Sequence, residues 1–533
     1  MNKYHAALGL LVLTMLNGCG GGGGGGGGNS TDSNYGGPGT NTVSGTVMFK
    51  GAPMAGVTVT AFMTNSNSVF ETTTTDANGN YSFKDIPSPA KGGVIPDVQF
   101  WPTKTGYAFY PSLSGTAATP LSNYQWNAPP QTWLANTGAA VTRAGYNGQF
   151  TNADGGPGMI FDVIDLQSNT GNNITGAGFT AYDGSNPLVS LPITGQTTSY
   201  AAGDDGALQK GVAASSTRFA DNGDGTITDK LTGLIWLKNA GCLAPAFWAN
   251  AVTEVNQLAS GACGLSDGSS AGQWRMPNLI ELESLIDVSA SNPALSAANP
   301  FANVSNGIYW TSTTYYGGEG GSPNAWAIRL SDGRYMNDGF SNAKATASNA
   351  VWAVKGKGGG AVTLQATGAY VPFAANDDGS VRNGPALPWP RMRDNGNGTM
   401  TDTVTGLIWL KQANCINATW NGALAQIASL ASGQCGLSDS STAGQWRMPN
   451  RNEMQSLADR AQNNMADSFD TTFTGKTGIP TQPAAFSSFV GFQYYWTSST
   501  NAANILEAWT VFSCDYGVYD QPKTNMGYAL AVR

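Results

Sequence analysis

Across 533 residues one pattern of motifs occurs twice, and this duplication limits the possible folds more than any other feature. Thr232-Gly233-Leu234-Ile235-Trp236-Leu237-Lys238 returns as Thr405-Gly406-Leu407-Ile408-Trp409-Leu410-Lys411. Cys263-Gly264-Leu265-Ser266-Asp267 returns as Cys435-Gly436-Leu437-Ser438-Asp439, and Gln273-Trp274-Arg275-Met276-Pro277-Asn278 as Gln445-Trp446-Arg447-Met448-Pro449-Asn450. Residues 191–356 and 364–533 therefore share a fold. A chain that carries one module twice suits multivalent contact better than single-site chemistry.

The N-terminus has the form of a targeting segment: Lys3 is followed by an apolar run over residues 6–16, too short to span a bilayer. Leu16-Asn17-Gly18-Cys19 resembles the lipobox of bacterial lipoproteins. By that resemblance residues 1–18 are a signal peptide and Cys19 is the lipidated first residue of the mature chain. Each buried acyl methylene contributes roughly 0.8 kcal/mol to membrane attachment. Residues 20–28 are all glycine, and the polar stretch after them completes a flexible tether over 19–41. Gly20, where an Asp would signal retention, is similar to outer-membrane sorting in Gram-negative lipoproteins. The implied place is the cell envelope, attached to the membrane through the lipid.

Composition removes several function classes. The net charge of −8 disfavours nucleic acid and other polyanions, which need clustered Lys and Arg. The single histidine, His5, lies in the targeting segment, so the mature chain lacks the commonest general base and metal ligand. Ser-His-Asp and Cys-His catalysis are thereby excluded, and a carboxylate-only hydrolase is the remaining enzymatic alternative. No catalytic residue and no cofactor are assigned. Six cysteines fit an oxidising compartment. With Cys19 assigned to lipid, Cys242 and Cys263 bracket one helix-like stretch, and Cys415 and Cys435 bracket its copy. One disulfide per module is expected. Cys514 is left over, either free or competing for Cys415 or Cys435.

Ahead of the repeats, residues 43–49 and 55–62 alternate apolar and polar, and Asp76-Ala77-Asn78-Gly79-Asn80 is a turn into Tyr81-Ser82-Phe83. Short strands at this spacing predict a small antiparallel sandwich over residues 42–117. The same motifs resemble the carboxypeptidase-regulatory-like domains of bacterial surface proteins, a family of non-catalytic spacers. Residues 118–190 are β-rich and either extend the sandwich or form a linker of their own.

Each repeat opens with an Asp-Asp-Gly turn, Asp204-Asp205-Gly206 and Asp377-Asp378-Gly379. Residues 221–229 offer Asp221, Asp224 and Asp229 as weak calcium candidates, but the EF-hand spacing is absent and Asn397 replaces Asp224 in the second copy. The favoured reading is a β-hairpin with Asn-Gly and Asp-Gly turns, and no metal. Residues 249–258 have helical spacing. Asn278 with Glu281, and Asn450 with Glu453, have the spacing of a capping box, which gives both glutamates a structural role. The rest of each copy is strand-rich, so an α+β module is expected.

This order of motifs resembles the C-terminal domain family of the Legionella collagen-like protein, and its layout is similar to C-type-lectin-like folds. The fold class expected is therefore multidomain: an all-β sandwich followed by two α+β modules. The resemblance implies adhesion. The lectin calcium motifs are missing, since Met276-Pro277-Asn278 stands where Glu-Pro-Asn would, so a sugar would have to stack on aromatic rings. Tyr315, Tyr316 and Trp310 in the first copy, with Tyr494 and Trp496 in the second, are the ligand-contact candidates. The expected partner is an extracellular glycan or protein. The alternative is self-association, in an envelope protein whose repeats make subunit contacts.

Overall fold

The computed structural model describes residues 41–63, 68–86, 97–104 and 107–111, six short strands between 126 and 182, and residues 187–533 apart from 316–322, 337–340, 370–372, 386, 388–390 and 461–485. The expected signal peptide, Cys19 and all but the last residue of the tether lie outside the described residues.

The described chain is mostly β and divides among seven sheets. Strand Asn41–Phe49 pairs antiparallel with Asn80–Ile86, while Thr58–Met63 lies between Ser68–Thr74 and Asp97–Thr103. Their inward residues Val47, Val57, Val59, Tyr81 and Phe83 are buried, as the alternation requires. The unit does not stop at residue 117. Met159–Asp162 adds to Asp97–Thr103, and Asn173–Thr175 and Phe179–Tyr182 run parallel to Asn41–Phe49. Among the described residues of 118–190, these three strands extend the first sheets, and Trp126–Asn127, Thr132–Leu134 and Ala140–Thr142 form a small sheet of their own.

Each repeat has two sheets and three short helices, the first a single turn in its opening segment, Asp205–Leu208 or Asp378–Val381. The hairpin Phe219–Asp221/Thr226–Asp229 continues to Ile235–Leu237, and Met392–Asp394/Thr399–Asp402 to Ile408–Leu410. The hairpin expectation holds. Gly225 and Gly398 sit at φ +85° and +82°, and a Cβ there would come within 2.4 and 2.2 Å of a backbone oxygen of the neighbouring loop. Helices Trp248–Gln257 and Trp420–Ala428 bury Trp248, Ala251, Val252 and Val255, and Trp420, Ala423, Leu424 and Ile427, one stripe at helical spacing. Leu279–Glu283 and Arg451–Ser456 start with the expected capping boxes.

Five-stranded sheets complete the modules, in the order Leu243–Ala246, Asn349–Val351, Ile308–Tyr315, Asn324–Arg329, Arg334–Met336, and the same in the second copy ending at Val518–Pro522. They are mixed: Ile308–Tyr315 runs parallel to Asn349–Val351, and Tyr494–Thr500 parallel to Gly527–Ala529. Cys242–Cys263 and Cys415–Cys435 are disulfides with Cα atoms 5.6 and 5.7 Å apart. Cys514 is buried.

The opening segment of each repeat packs on the other repeat. Residues 187–212 cross to the second module. Val404 O accepts from the N–H groups of Leu188 and Val189, the amide of Gln196 exchanges two 2.9 Å hydrogen bonds with the backbone of Thr500, and Asn450 Nδ2 donates to Lys210 O. Residues 364–384 cross in the opposite direction. Asn256 Nδ2 donates to Ala375 O and Asn383 Nδ2 donates to Glu281 Oε1. The modules also share a core, since Trp509 and Val518 join the cluster built on Trp236, Trp310 and Trp352. Arg451, fully buried, donates to Gly333 O across the junction. Hydrogen bonds and a shared core therefore cross the boundary between 191–356 and 364–533.

Candidate functional site

The carboxylates that the motifs single out are engaged by protein donors. Asp229 takes two 2.8 Å bonds from the Arg218 guanidinium plus the Leu231 N–H and the Thr232 hydroxyl, and Asp402 repeats this with Arg391. Asp221 pairs with Lys238 and accepts from Gly223 N–H, and Asp224 accepts from the Thr226 N–H and hydroxyl. The three calcium candidates do not converge. Among the described residues no group of three or more His, Cys, Asp or Glu side chains has metal-binding geometry.

Glu281 closes its capping box and takes two 2.6 Å bonds from Arg275. Burial pushes its carboxyl up, but Arg275 and the Asn278 N–H hold it below the usual carboxylate range. Beneath it, Asp378 of the exchanged segment accepts from the Thr313 and Thr367 hydroxyls, both at 2.6 Å. Burial pushes this carboxyl up to about 7 against the pull of the two hydroxyls, and the charge of Glu281 adds to the rise. Asp205, its counterpart, accepts from Thr194 and Ser499 and is raised by burial to about 6. These acids fasten the exchanged segments.

The aromatic candidates divide. Trp310 and Trp496 are core residues, 0% and 1% exposed, with indole N–H groups donating to Ala246 O and Ala418 O. They have no free face for a ligand. The motif containing them alternates in and out of a sheet covered on both sides, so neither register reaches solvent. Tyr315 is half-buried against Trp326, and Tyr494 half-buried against Phe512 and Tyr519. Burial raises both phenols above their ordinary value, and the charge of Asp515 adds to the rise. Tyr316 lies outside the described residues.

A different cluster stands at the tip of each module. Lys523 Nζ lies 4.0 Å from the ring centre of Trp420 and 4.9 Å from that of Tyr200, and donates to Thr500 Oγ1 at 2.8 Å. Lys344 repeats the arrangement, 4.2 Å from both Trp248 and Phe373 and 2.7 Å from Thr314 Oγ1. In each cage one ring comes from the exchanged segment of the other repeat. Two effects oppose each other. A ring face attracts a desolvated cation by about 2 kcal/mol or more, whereas removing an ammonium from water costs several kcal/mol. Burial prevails, pushing the Lys344 amine down to about 7 against the opposing pull of Asp377. Lys523, less enclosed, is lowered for the same reason.

The tips differ at their rims. In the two chain segments joined at Lys523, Leu506 is 74% exposed, Met526 65% and Ile505 52%. Lys523 N–H donates to Leu506 O, which fixes the rim to the cage. At the first tip Lys344 N–H donates to Pro323 O in the same way, and Pro323 and Ser348 occupy the positions of Leu506 and Met526. Sequence reasoning missed both cages, because their residues are as far apart as Tyr200 and Lys523. The available signal was the run Ile505-Leu506 in a loop of Asn and Ala.

The architecture is that of a tandem-module protein in which two copies of one domain are fused. The Lcl C-terminal domain family matches residues 225–355 and 398–533, just over half the chain, and the protein belongs to this family. Both matches begin after the exchanged segments. No curated protein matches the sequence.

Proposed function

We propose that the protein is an adhesion or recognition protein of the bacterial cell surface, and that its ligand is a glycan or protein bound at the tip of the second module. The observation that carries this is the exposure of Leu506, Ile505 and Met526 on the segments that carry Lys523, whose ammonium lies over Tyr200. Large apolar side chains gathered at one place on a soluble surface mark interaction sites. A ring face beside a lysine and several amide side chains suits a sugar or a peptide equally. The family resemblance to an adhesive domain supports the class, and a C-type-lectin-like arrangement is consistent with short helices flanking mixed sheets. In this reading Cys19 bears lipid in the outer membrane, residues 20–40 form the leash, and the sandwich is a carboxypeptidase-regulatory-like spacer. The protein is not an enzyme.

The test is binding of the mature full-length protein to glycan and extracellular-protein arrays, with Leu506→Asp/Met526→Asp compared with Pro323→Asp/Ser348→Asp. The second-module variant is expected to lose binding at least about tenfold, roughly 1.4 kcal/mol, with the first-module variant unchanged. Equal loss in both variants would overturn the assignment to this tip. If the wild type binds no array member and instead sediments as an oligomer that Leu506→Asp dissociates, the rim is a subunit contact.

A further inference from the structure

The two lysine cages are copies, yet Lys344 is the more enclosed. We propose that Lys344 is a covalent capture site for small carbonyl compounds, an aldehyde or the open-chain form of a reducing sugar, held as an imine between the Trp248 and Phe373 rings. The geometry supplies what this chemistry needs. The amine is held at one point by Thr314 Oγ1 at 2.7 Å, flanked by two apolar faces at 4.2 Å, and remains only partly covered. The charged group whose field reaches it is Asp377, whose carboxylate is already occupied by the N–H groups of Phe373, Ala374 and Ser380. Asp378 next to it is turned toward Thr313 and Thr367. An amine lowered toward 7 by burial carries a large unprotonated fraction at neutral pH, the form that attacks carbonyl carbon.

The step balances without redox. The nitrogen lone pair forms a C–N bond, the C=O π pair moves onto oxygen, and that oxygen takes a nitrogen proton through the Thr314 hydroxyl or solvent. The carbinolamine then loses its oxygen with a second nitrogen proton as one water, leaving C=N. The rings limit the access of water that would reverse it.

The experiment treats the mature full-length protein with glyceraldehyde and cyanoborohydride, which traps the imine, and maps modified lysines by mass spectrometry across pH. Lys344 is expected to label at least about tenfold faster than exposed Lys210 and Lys357 at pH 7, with Lys523 intermediate, and its rate to level off above about pH 8 while theirs rise towards pH 10. Phe373→Ala, with folding checked by circular dichroism, is expected to remove the advantage. Labelling of Lys344 no faster than Lys357, or a rate climbing with the rest to pH 10, would overturn the proposal. Because the readout is at the first tip, it stands or falls apart from ligand binding at the second.

Discussion

The two modules share a sheet order, a disulfide, a capping box and a lysine cage, but they differ at the surface. Among the described residues, six of the seven exposed large hydrophobic side chains, Tyr200, Leu208, Phe492, Ile505, Leu506 and Met526, lie on the second module or on the segment docked to it, and the seventh, Phe247, lies on the first. The buried framework is common to both copies, and the rim has diverged. Duplication preserved the elements that pack, such as Trp236 with Trp409, and left Pro323 and Ser348 opposite Leu506 and Met526. The difference shows that the buried packing of the two copies is alike while their surfaces are not.

The sharpest break in this comparison comes from the exchanged segments. Replacing residues 364–384 by a Gly-Ser linker of equal length should abolish hydrogen-exchange protection in 213–355, and replacing 191–212 should do so in 398–533, the distant module. Protection lost from the adjoining module instead would show that the segments pack in cis. Next in size, Arg447→Ala leaves buried Glu453 without its bidentate partner and should cost about 3–5 kcal/mol by denaturant unfolding. Arg275→Ala should cost less, because Asn383 still donates to Glu281.

Removing either disulfide by paired Cys→Ala should cost about 3 kcal/mol, equally in both modules, since the bridges span 21 and 20 residues. The acids that fasten the segments give a pH signature. Both carboxyls titrate higher folded than unfolded, where the value is about 3.9. Their contribution is therefore fully present below about pH 4 and is lost as pH rises through about 6 for Asp205 and about 7 for Asp378. Asp378→Asn should flatten the fall of stability between about pH 4 and 7, and Asp205→Asn should flatten it less, between about pH 4 and 6. The smallest effect concerns a helix start. Thr419 caps Trp420–Ala428 through the Gly422 N–H, whereas Phe247 offers its helix no side-chain cap, so Phe247→Thr should stabilise the first module by about 0.5–1 kcal/mol.

Local rules carried much of the fold. The hairpins at 219–229 and 392–402, the capping boxes at Asn278 and Asn450, and the two disulfides follow from residues close in sequence. The exchange was not legible, because Asp205 meets Ser499 and Asp378 meets Thr313 through the same chemistry that packing in cis would use. The return of 159–182 to the first sheets depends on long-range strand pairing, which leaves no local signature. At the candidate site, Trp310 and Trp496 were misplaced because a sheet covered on both faces buries either register. The cages were missed because Trp248, Lys344 and Phe373 are brought together only by the tertiary fold.

The crossing of residues 187–212 has a mechanical consequence. Chain arriving from the N-terminal sandwich is zipped to the second module at Val404, Asn450 and Thr500 before it enters the first. A pull between the N-terminal end and a ligand held near Leu506 would load that zipper, together with the bond from the Val288 N–H of the first module to Thr194 O.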